Sequence, residues 1–325
     1  MLRTVEMAAQ DCRERGLDIE IKPVDDREDE RVAYEMAGAT VADPSVIAVI
    51  GHKNSGPSKA AAPVYAGAGL AQITQCSTNN SLSGSGWRTF FRLCATNERQ
   101  AEVAAGFAQR QRPGATAFSV HDGTDYGRPL VEAFARRLEA LSGKPVRILA
   151  MRVGQEDFGE IVNQIKDGRA EVVQLGATEI ESSKLMRALV AAGLRPLVIS
   201  SEGGPDNPIV RLAGAAGESS VHTYAGSDPT ATSASSALVE RCRAAFGGIP
   251  SYVVECYDAV SVVAAGLQRG AANRAELRDA IAATDLPGFG GRIRFDAAGD
   301  RIDAPVSLWT IRGGEMVALT EPVRS

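Results

Sequence analysis

The sequence predicts an α/β protein of two lobes, each a doubly wound parallel sheet, joined by a hinge of several chain crossings. Short apolar runs typical of buried strands alternate with longer helical segments over most of the 325 residues. This pattern indicates parallel sheets covered by helices on both faces. Polar loops follow several strands, as they do at the carboxyl edge of such sheets. An apolar content of 44% is enough for a core in each lobe.

The first elements are a helix, a strand and a second helix. Apolar residues recur on one helical face over 2–12, and Gly16 ends that helix. Alternation predicts a strand over 18–23, followed by a charged loop over 25–30 and a helix over 29–42. An order that begins with a helix is unusual, because the first strand of a doubly wound sheet normally lies in its middle.

The stretch from 46 to 92 contains the candidate ligand loops. A strand over 46–50 leads into a polar loop and then a helix, which places Ser55 near a helix N-terminus with free backbone N–H groups. Such a position binds a carboxylate or a phosphate. A second strand over 70–74 runs into a hydroxyl-rich loop over 76–80. Because neighbouring parallel strands aim their loops at one crevice, we predict a ligand site there. The alternative is that both loops are ordinary caps, a role that Ser, Thr and Asn favour.

The alternation continues in a second set of units. The predicted helices cover 98–110, 129–141, 158–166 and 182–192, and the predicted strands cover 115–120, 146–152, 171–175 and 197–200. The strand over 197–200 is expected to be the last of this set. Polar loops follow it and the strand over 115–120.

The last third contains too few strands for a domain of its own. It has a connector over 227–236, helices over 234–246, 252–267 and 274–283, and strands over 292–295 and 306–311, the last with a hairpin at Gly313-Gly314. We therefore expect the chain to return to lobe one and then to lobe two. The predicted lobes are 1–93 with 226–303 and 94–225 with 304–325, and the crossings lie near 92–95, 223–227 and 300–305. Several crossings form a hinge rather than a loose tether.

Composition and missing motifs exclude several classes of function. A net charge of −5 without basic clusters argues against nucleic acid, and no apolar run is long enough to span a bilayer. Five widely spaced cysteines predict free thiols, with one distant disulfide left open, and three scattered histidines predict no metal site. The sequence lacks a phosphate-binding glycine loop and a nucleophile elbow. We therefore expect no cofactor and no enzyme activity, with a hydrolase as the less favoured alternative.

An ordered set of short motifs resembles a known family over essentially the whole chain. The motifs are the strand and serine loop over 46–56, Leu70 to Asn79 ending in Ser-Thr-Asn, Thr89 to Arg92, His121-Asp122 with Tyr126-Gly127, Ser201-Glu202-Gly203, and Phe295-Asp296 with Gly299-Asp300. Their order and spacing resemble type I periplasmic binding proteins, specifically the Leu/Ile/Val-binding branch that serves branched-chain amino acid ABC importers.

The resemblance implies how lobe one and one loop of lobe two hold a small zwitterion. Ser55, Ser77 and Thr78 match positions that bind the ligand α-carboxylate. Cys76 matches a position whose backbone carbonyl faces the α-ammonium, and Glu202 matches the carboxylate that pairs with it. The residue chemistry is consistent, since uncharged donors at a helix start suit an anion and a carboxylate suits a cation.

Two residues of lobe two are implied to cover the ligand. Tyr126 matches an aromatic that closes over the ligand, and the alternative is a core tyrosine at a strand end. Thr178 lies where relatives with aliphatic ligands carry a second aromatic. A smaller polar residue leaves room for a longer or a polar ligand side chain.

The chain also departs from the family. Met1 falls at the family's first helix, so we expect the first strand of lobe one to be missing here, and the sequence shows no signal peptide. Some relatives join the charged loop to the serine loop by a disulfide, but the positions near Arg27 and Asn54 hold no cysteine. The resemblance implies a periplasmic or extracytoplasmic protein that binds an amino acid or a related small molecule and meets a membrane ABC permease without inserting into the bilayer. A cytoplasmic amide or amino acid sensor of the same fold is the alternative.

Overall fold

The computed structural model describes residues 1–201 and 203–319. The chain divides into two compact units. Unit 1 comprises Met1–Thr96 and Gly226–Pro305, and unit 2 comprises Asn97–Ala225 and Val306–Ser325. The sequence placed the corresponding boundaries near 93 and 303. Both units combine helices with mostly parallel strands, so the predicted α/β class is confirmed.

The first part of unit 1 contains four helices and three strands. They are α1 (Leu2–Glu14), α2 (Glu30–Ala42), β1 (Ala48–Ile50), α3 (Ser55–Gly67), β2 (Ala71–Thr74), α4 (Ser81–Gly84) and β3 (Phe90–Arg92). The strands form a parallel sheet in the order β1-β2-β3, in which Ile73 of β2 lies between Ile50 and Phe91. Asp29 caps α2, because its side chain accepts a hydrogen bond from the Val32 N–H.

The predicted strand over 18–23 is wrong. This segment has no regular structure, although its residues alternate as the sequence suggested. Strands are stable only where a neighbour completes their hydrogen-bond ladder, and β1 is hydrogen-bonded only to β2 among the described residues. Alternation alone therefore did not suffice to form a strand here.

The middle of the chain supplies most of unit 2. Its elements are α5 (Asn97–Gln111), β4 (Ala117–His121), α6 (Gly127–Ser142), β5 (Arg147–Ala150), α7 (Gly159–Asp167), β6 (Val172–Gly176), α8 (Glu179–Ala191), β7 (Leu197–Ser200), α9 (Ile209–Ala213) and β8 (Val221–Tyr224). A short 3₁₀ turn, Gly214–Gly217, lies between the last two. The strand β8 was missed, because its sequence Val-His-Thr-Tyr carries polar residues, although all four residues are buried.

The last third returns to unit 1 and then to unit 2. Unit 1 gains α10 (Ser233–Phe246), α11 (Val253–Gln268), α12 (Arg274–Ala282), β9 (Asp285–Gly288) and β10 (Gly291–Arg294), and unit 2 gains β11 (Ser307–Arg312) and β12 (Glu315–Ala318). The sequence analysis did not predict β9, which pairs antiparallel with β10. The predicted hairpin at Gly313-Gly314 joins β11 to β12.

The sheet of unit 2 has the strand order β12-β11-β8-β7-β6-β4-β5. The five strands from β8 to β5 run parallel, and β11 joins the sheet antiparallel to β8. Apolar clusters cover the sheet from both sides, one with α7 and α8 and the other with α5 and α6. The carboxyl ends of β4, β6 and β7 therefore lie at one edge of a well-packed sheet.

Helix α11 is the central helix of unit 1. Twelve of its sixteen residues are buried. Val260 belongs to an apolar cluster with α1 and α10, whereas Val262 packs with β2 and β3. The described residues include no helix with the length and apolar character needed to cross a membrane.

Candidate functional site

Ser55 begins helix α3, as the sequence predicted. Asn54 precedes it in an extended conformation, and Ser55 is buried at 2% exposure. The Ser55 hydroxyl accepts a hydrogen bond of 3.4 Å from the backbone N–H of Asn79 in the second loop. The two predicted loops of unit 1 therefore lie side by side at the start of a helix. The partial positive charge of that helix end favours an anion.

Ser77 holds the two loops together. Its hydroxyl lies 3.0 Å from the His52 carbonyl oxygen, 3.1 Å from that of Lys53 and 2.7 Å from the Ser58 hydroxyl. Thr74, the last residue of β2, accepts from the Ser77 N–H at 3.0 Å and donates to the His52 carbonyl at 2.9 Å. The single hydroxyl proton of Ser77 thus has partners inside the loops.

Thr78 differs from its neighbour. Its side chain is buried at 1% exposure, and its hydroxyl has no hydrogen-bond partner among the described residues. Its backbone N–H donates to none of them either. A buried polar group without a partner costs about 1–3 kcal/mol, so an acceptor that met these two donors would stabilise the protein.

Cys76 is half-buried beside these residues. Its Sγ contacts the Lys53 carbonyl oxygen at 3.0 Å, and its N–H donates to the Thr74 hydroxyl at 3.3 Å. The thiol therefore braces the loop as Ser77 does. All five cysteines are free thiols.

A hydrogen bond and an ion pair join the charged loop to the serine loop. The Asp26 carboxylate lies 2.6 Å from His52 Nδ1, and Glu28 lies 2.9 Å from Lys53 Nζ. The His52 hydrogen bond lowers the pKa of Asp26 below its usual range. The other ring nitrogen of His52 lies 3.1 Å from the Tyr65 hydroxyl, so neither ring nitrogen makes a hydrogen bond to Ser55 or Ser77 as a catalytic base would.

Arg92 is a residue of this site that the sequence analysis did not single out. It is completely buried at the end of β3 and forms an ion pair of 2.6 Å with Asp300. It also contacts the carbonyl oxygens on both sides of Thr78. An arginine between apolar residues of a buried strand was the available signal, because a buried guanidinium needs partners.

Two further carboxyl groups of unit 1, those of Glu255 and Asp258, are buried in the first turns of α11. Glu255 accepts from the Ser227 N–H at 2.7 Å, and its other oxygen has no partner among the described residues. Asp258 accepts from the Phe289 and Gly290 N–H groups at 2.9 and 3.4 Å. Burial raises the pKa of Glu255 to about 7 and that of Asp258 to about 6.

The candidate residues of unit 2 lie at the carboxyl ends of neighbouring strands. Tyr126 follows β4 and donates from its hydroxyl to the Ser201 carbonyl at 3.1 Å. Thr178 follows β6, and its hydroxyl donates to the Glu181 carboxylate at 2.5 Å. The two loops approach closely, since a Cβ on Gly127 would lie 2.1 Å from the Gly176 carbonyl oxygen. Glu202 lies outside the described residues.

The structure therefore brings Ser55, Cys76, Ser77 and Thr78 together in unit 1, and Tyr126 and Thr178 together in unit 2. The described residues contain no group of three or more histidine, cysteine or acidic side chains placed to hold a metal ion. What unit 1 offers is a set of uncharged donors at a helix start, which is the chemistry of carboxylate binding.

The chain is similar to known binding proteins over most of its length. The sequence profile of the periplasmic binding protein family matches residues 1–315. A Leu/Ile/Val-binding protein homolog of Brucella melitensis is 30% identical over 258 residues, which is 79% of this chain and 69% of that protein. A second homolog, from Brucella abortus, is 29% identical over 90% of this chain and 78% of its own length. These named relatives are binding proteins.

Solved structures agree on the fold. A leucine-binding protein of Thermotoga maritima superposes with a TM-score of 0.87 at 23% identity, covering 98% of this chain and 93% of its own. A solute-binding protein of R. palustris superposes with a TM-score of 0.82 at 20% identity, covering 98% of this chain and 90% of its own. With the family profile matching nearly the whole sequence, the chain belongs to the type I periplasmic binding proteins, in the Leu/Ile/Val-binding branch.

Proposed function

We propose that the chain captures a small carboxylate ligand, first of all an amino acid, and delivers it to an ABC importer. The observation that carries this proposal is the pair of unpartnered donors on Thr78, next to Ser55 at the start of α3. The N–H groups of Ser55 and Gly56 in the first turn of α3 add further donors without an intrahelical partner. Hydrogen bonds from such donors to a carboxylate are charge-assisted and strong.

In this proposal the amino group of the ligand meets the Cys76 backbone carbonyl and the Glu202 carboxylate. The role of Glu202 is inferred from the sequence alone, because this residue lies outside the described residues. Tyr126 and Thr178 cover the ligand when the two units close around it by hinge motion. The ligand stabilises the closed form only through the additional contacts that unit 2 supplies.

The chemistry of unit 1 also suits a second ligand class. The R. palustris protein mentioned above was solved in complex with benzoate, whereas a substrate-binding protein of Streptococcus pneumoniae was solved with isoleucine. Both ligands present a carboxylate, and only the amino acid presents an ammonium group. A threonine at position 178 in place of a second aromatic leaves space for either. The amino acid is our first choice, because the named relatives at 28–30% identity are Leu/Ile/Val-binding or amino acid binding proteins.

The family also supports the partner and the location. We infer a membrane ABC permease as the partner that recognises the closed form, and a periplasmic or extracytoplasmic site of action. The role is binding without chemistry, which fits the engagement of His52 by Asp26 and Tyr65.

A thermal-shift screen tests the proposal. The purified chain is melted with the amino acids, simple amides and small aromatic acids, each at about 100 times a typical dissociation constant. A bound ligand then adds about 2.7 kcal/mol, or roughly 3–6 °C in Tm for a chain of this length. We expect a shift with branched-chain amino acids, followed by a dissociation constant from calorimetry. A cooperative melt that no carboxylate shifts, in a chain with native circular dichroism, contradicts the proposal.

A further inference from the structure

Arg92 uses every donor of its guanidinium inside unit 1. Nε and Nη2 donate to Asp300 Oδ1 at 2.8 and 2.6 Å, and Nη2 also donates to the Ser83 hydroxyl at 2.8 Å. Nη1 donates to the carbonyl oxygens of Ser77 at 3.2 Å and Asn79 at 2.7 Å. A guanidinium has five N–H groups, so all five have a partner, and the charge is balanced by Asp300.

These contacts determine the direction of the peptide groups around Thr78. In a trans peptide the C=O and the following N–H point in opposite directions. Because Arg92 holds the Ser77 carbonyl, the Thr78 N–H of the same peptide group points away from the guanidinium. The second bond of Nη1, to the Asn79 carbonyl, restrains the chain on the other side of Thr78.

The partner of Arg92 arrives from a distant part of the sequence. Asp300 is 208 residues away and ends a tight turn, in which Asp296 accepts from the N–H groups of Ala298 and Asp300 at 2.9 and 3.0 Å. Gly299 in this turn has φ +87°, and a Cβ there would lie 2.0 Å from the Phe90 carbonyl oxygen. The turn therefore packs directly against β3 and presents Asp300 to Arg92.

We propose that Arg92, neutralised by Asp300, is a positioning residue that aims the two free donors of Thr78 at the ligand carboxylate. The inference rests on the proposed function, and it adds a role for a residue that itself lies buried beneath the loop. An arginine is required because its planar fork bridges two carbonyls and a carboxylate at once, whereas the ammonium of a lysine is a compact point charge.

A double-mutant cycle tests this inference. Calorimetry measures the dissociation constant of the ligand selected by the screen, L-leucine first, for wild type, Arg92→Lys, Thr78→Val and the double variant. If Arg92 acts through Thr78, Arg92→Lys weakens binding about 10- to 100-fold in the wild-type background and by a clearly smaller factor in the Thr78→Val background, where only the backbone N–H of residue 78 remains to be oriented. Equal losses in both backgrounds overturn the inference, because Arg92 then supports the fold alone.

The preference of the protein for an acid over the matching amide is a second measurement that tests the role of Arg92. Arg92→Lys is expected to reduce the preference for L-leucine over L-leucinamide, or for benzoate over benzamide, whereas a purely structural role weakens the acid and the amide alike. Arg241→Lys is the matched control, because Arg241 forms a bidentate pair with Asp11 at 2.8 Å elsewhere in unit 1. It is expected to lower Tm and leave the dissociation constant within about twofold.

Failure of the inference is distinguishable from failure of the proposed function. A wild-type chain that binds no carboxylate refutes the proposed function, whereas uncoupled variants of a binding chain refute only the role of Arg92. Should Arg92→Lys not fold, Asp300→Asn carries the same cycle. It keeps hydrogen-bond acceptance but removes the balancing charge, and the same coupling with Thr78→Val is expected.

Discussion

Thr78 of unit 1 and the candidate residues Tyr126 and Thr178 of unit 2 differ in whether their hydroxyl groups already have hydrogen-bond partners. In unit 1 the Thr78 hydroxyl and N–H have no partner among the described residues, although the residue is buried. In unit 2 the hydroxyls of Tyr126 and Thr178 already donate to Ser201 and Glu181. In the proposed function, the donors for the ligand anion therefore belong to unit 1, and Tyr126 and Thr178 contribute cover rather than hydrogen bonds.

The unit 1 loops are also ordered by hydrogen bonds among themselves. Ser77 and Thr74 link the second loop to the His52 carbonyl, and Asp26 holds the His52 ring. Loops ordered before the ligand arrives avoid part of the ordering cost of binding. In the proposed function, the fixed donors of unit 1 therefore bind the ligand carboxylate at a reduced ordering cost.

The largest expected effect on this comparison comes from Thr78→Val. The change keeps the side-chain shape and removes one charge-assisted hydrogen bond, which is worth about 1.5–3 kcal/mol or roughly 10- to 100-fold in Kd. Stability should not fall, because the hydroxyl has no partner in the protein. Calorimetry and a thermal melt measure the two quantities.

Thr4→Val is the matched control for that change. The Thr4 hydroxyl is also buried without a partner, but it lies in α1. Its removal should leave Kd unchanged. If Thr78→Val changes Kd by less than about twofold, the Thr78 hydroxyl is not a ligand donor and the contrast between the units disappears.

An intermediate effect on stability is expected from Glu255→Gln. This variant tests whether the buried carboxylate of Glu255 destabilises unit 1. Burial raises the folded pKa of Glu255 to about 7 from the ordinary 4.5, so the folded state retains a proton that the unfolded state releases. Stability therefore falls as pH rises from about 4.5 to 7, and the full penalty is present above pH 7. Glutamine keeps an acceptor for the Ser227 N–H without the charge. We expect a gain of roughly 1–2 kcal/mol, or about 1.5–3 °C in Tm, at pH 8 and almost none at pH 5.

Asp11→Asn is expected to change Tm in the opposite direction from Glu255→Gln. The Arg241 hydrogen bond lowers the pKa of Asp11 below 3.8, so its carboxylate is ionised and paired at both pH 5 and pH 8. This variant should therefore lower Tm at both. Scanning calorimetry at the two pH values separates the variants, and an equal gain for Glu255→Gln at pH 5 and pH 8 would disprove the buried-charge explanation.

The smallest effect is expected from Tyr126→Phe. The hydroxyl already bonds to the Ser201 carbonyl, and the ring remains to cover a ligand. We expect Kd to rise less than about fivefold, as for the loss of one neutral hydrogen bond of about 1 kcal/mol. Tyr34→Phe, at an exposed tyrosine of α2, is the control and should change nothing. A tenfold or larger loss would mean that the Tyr126 hydroxyl contacts the ligand itself.

Much of the fold was predictable, because the sequence patterns that indicate its helices and strands involve only residues close together in the chain. The period of apolar residues along α1 and the apolar runs of β2 and β6 indicate helix and strand without reference to any distant residue. The position of Ser55 at the start of α3 follows from the order strand, polar loop, helix. The alternation of these elements indicates parallel sheets, and the order of the loop motifs indicates the family.

The errors arose where a distant neighbour decides the structure. The segment 18–23 alternates as a strand does, but it lacks a ladder partner among the described residues. The polar sequence of β8 conceals a strand that its neighbours β7 and β11 complete. Hydrogen-bond ladders are tertiary contacts, and a sequence pattern carries no record of whether a partner is present.

The sequence by itself therefore determined the fold class, the family and the loops that contain Ser55, Ser77 and Thr78. Only the tertiary structure decided which of these hydroxyls is satisfied and which is free. Ser77 and Thr78 are adjacent and chemically alike, yet one meets the His52 and Lys53 carbonyls while the other meets none. Arg92 and Asp300 meet across 208 residues. The physical reason is that a hydrogen bond depends on the position and direction of both partners in space, which the folded chain alone establishes.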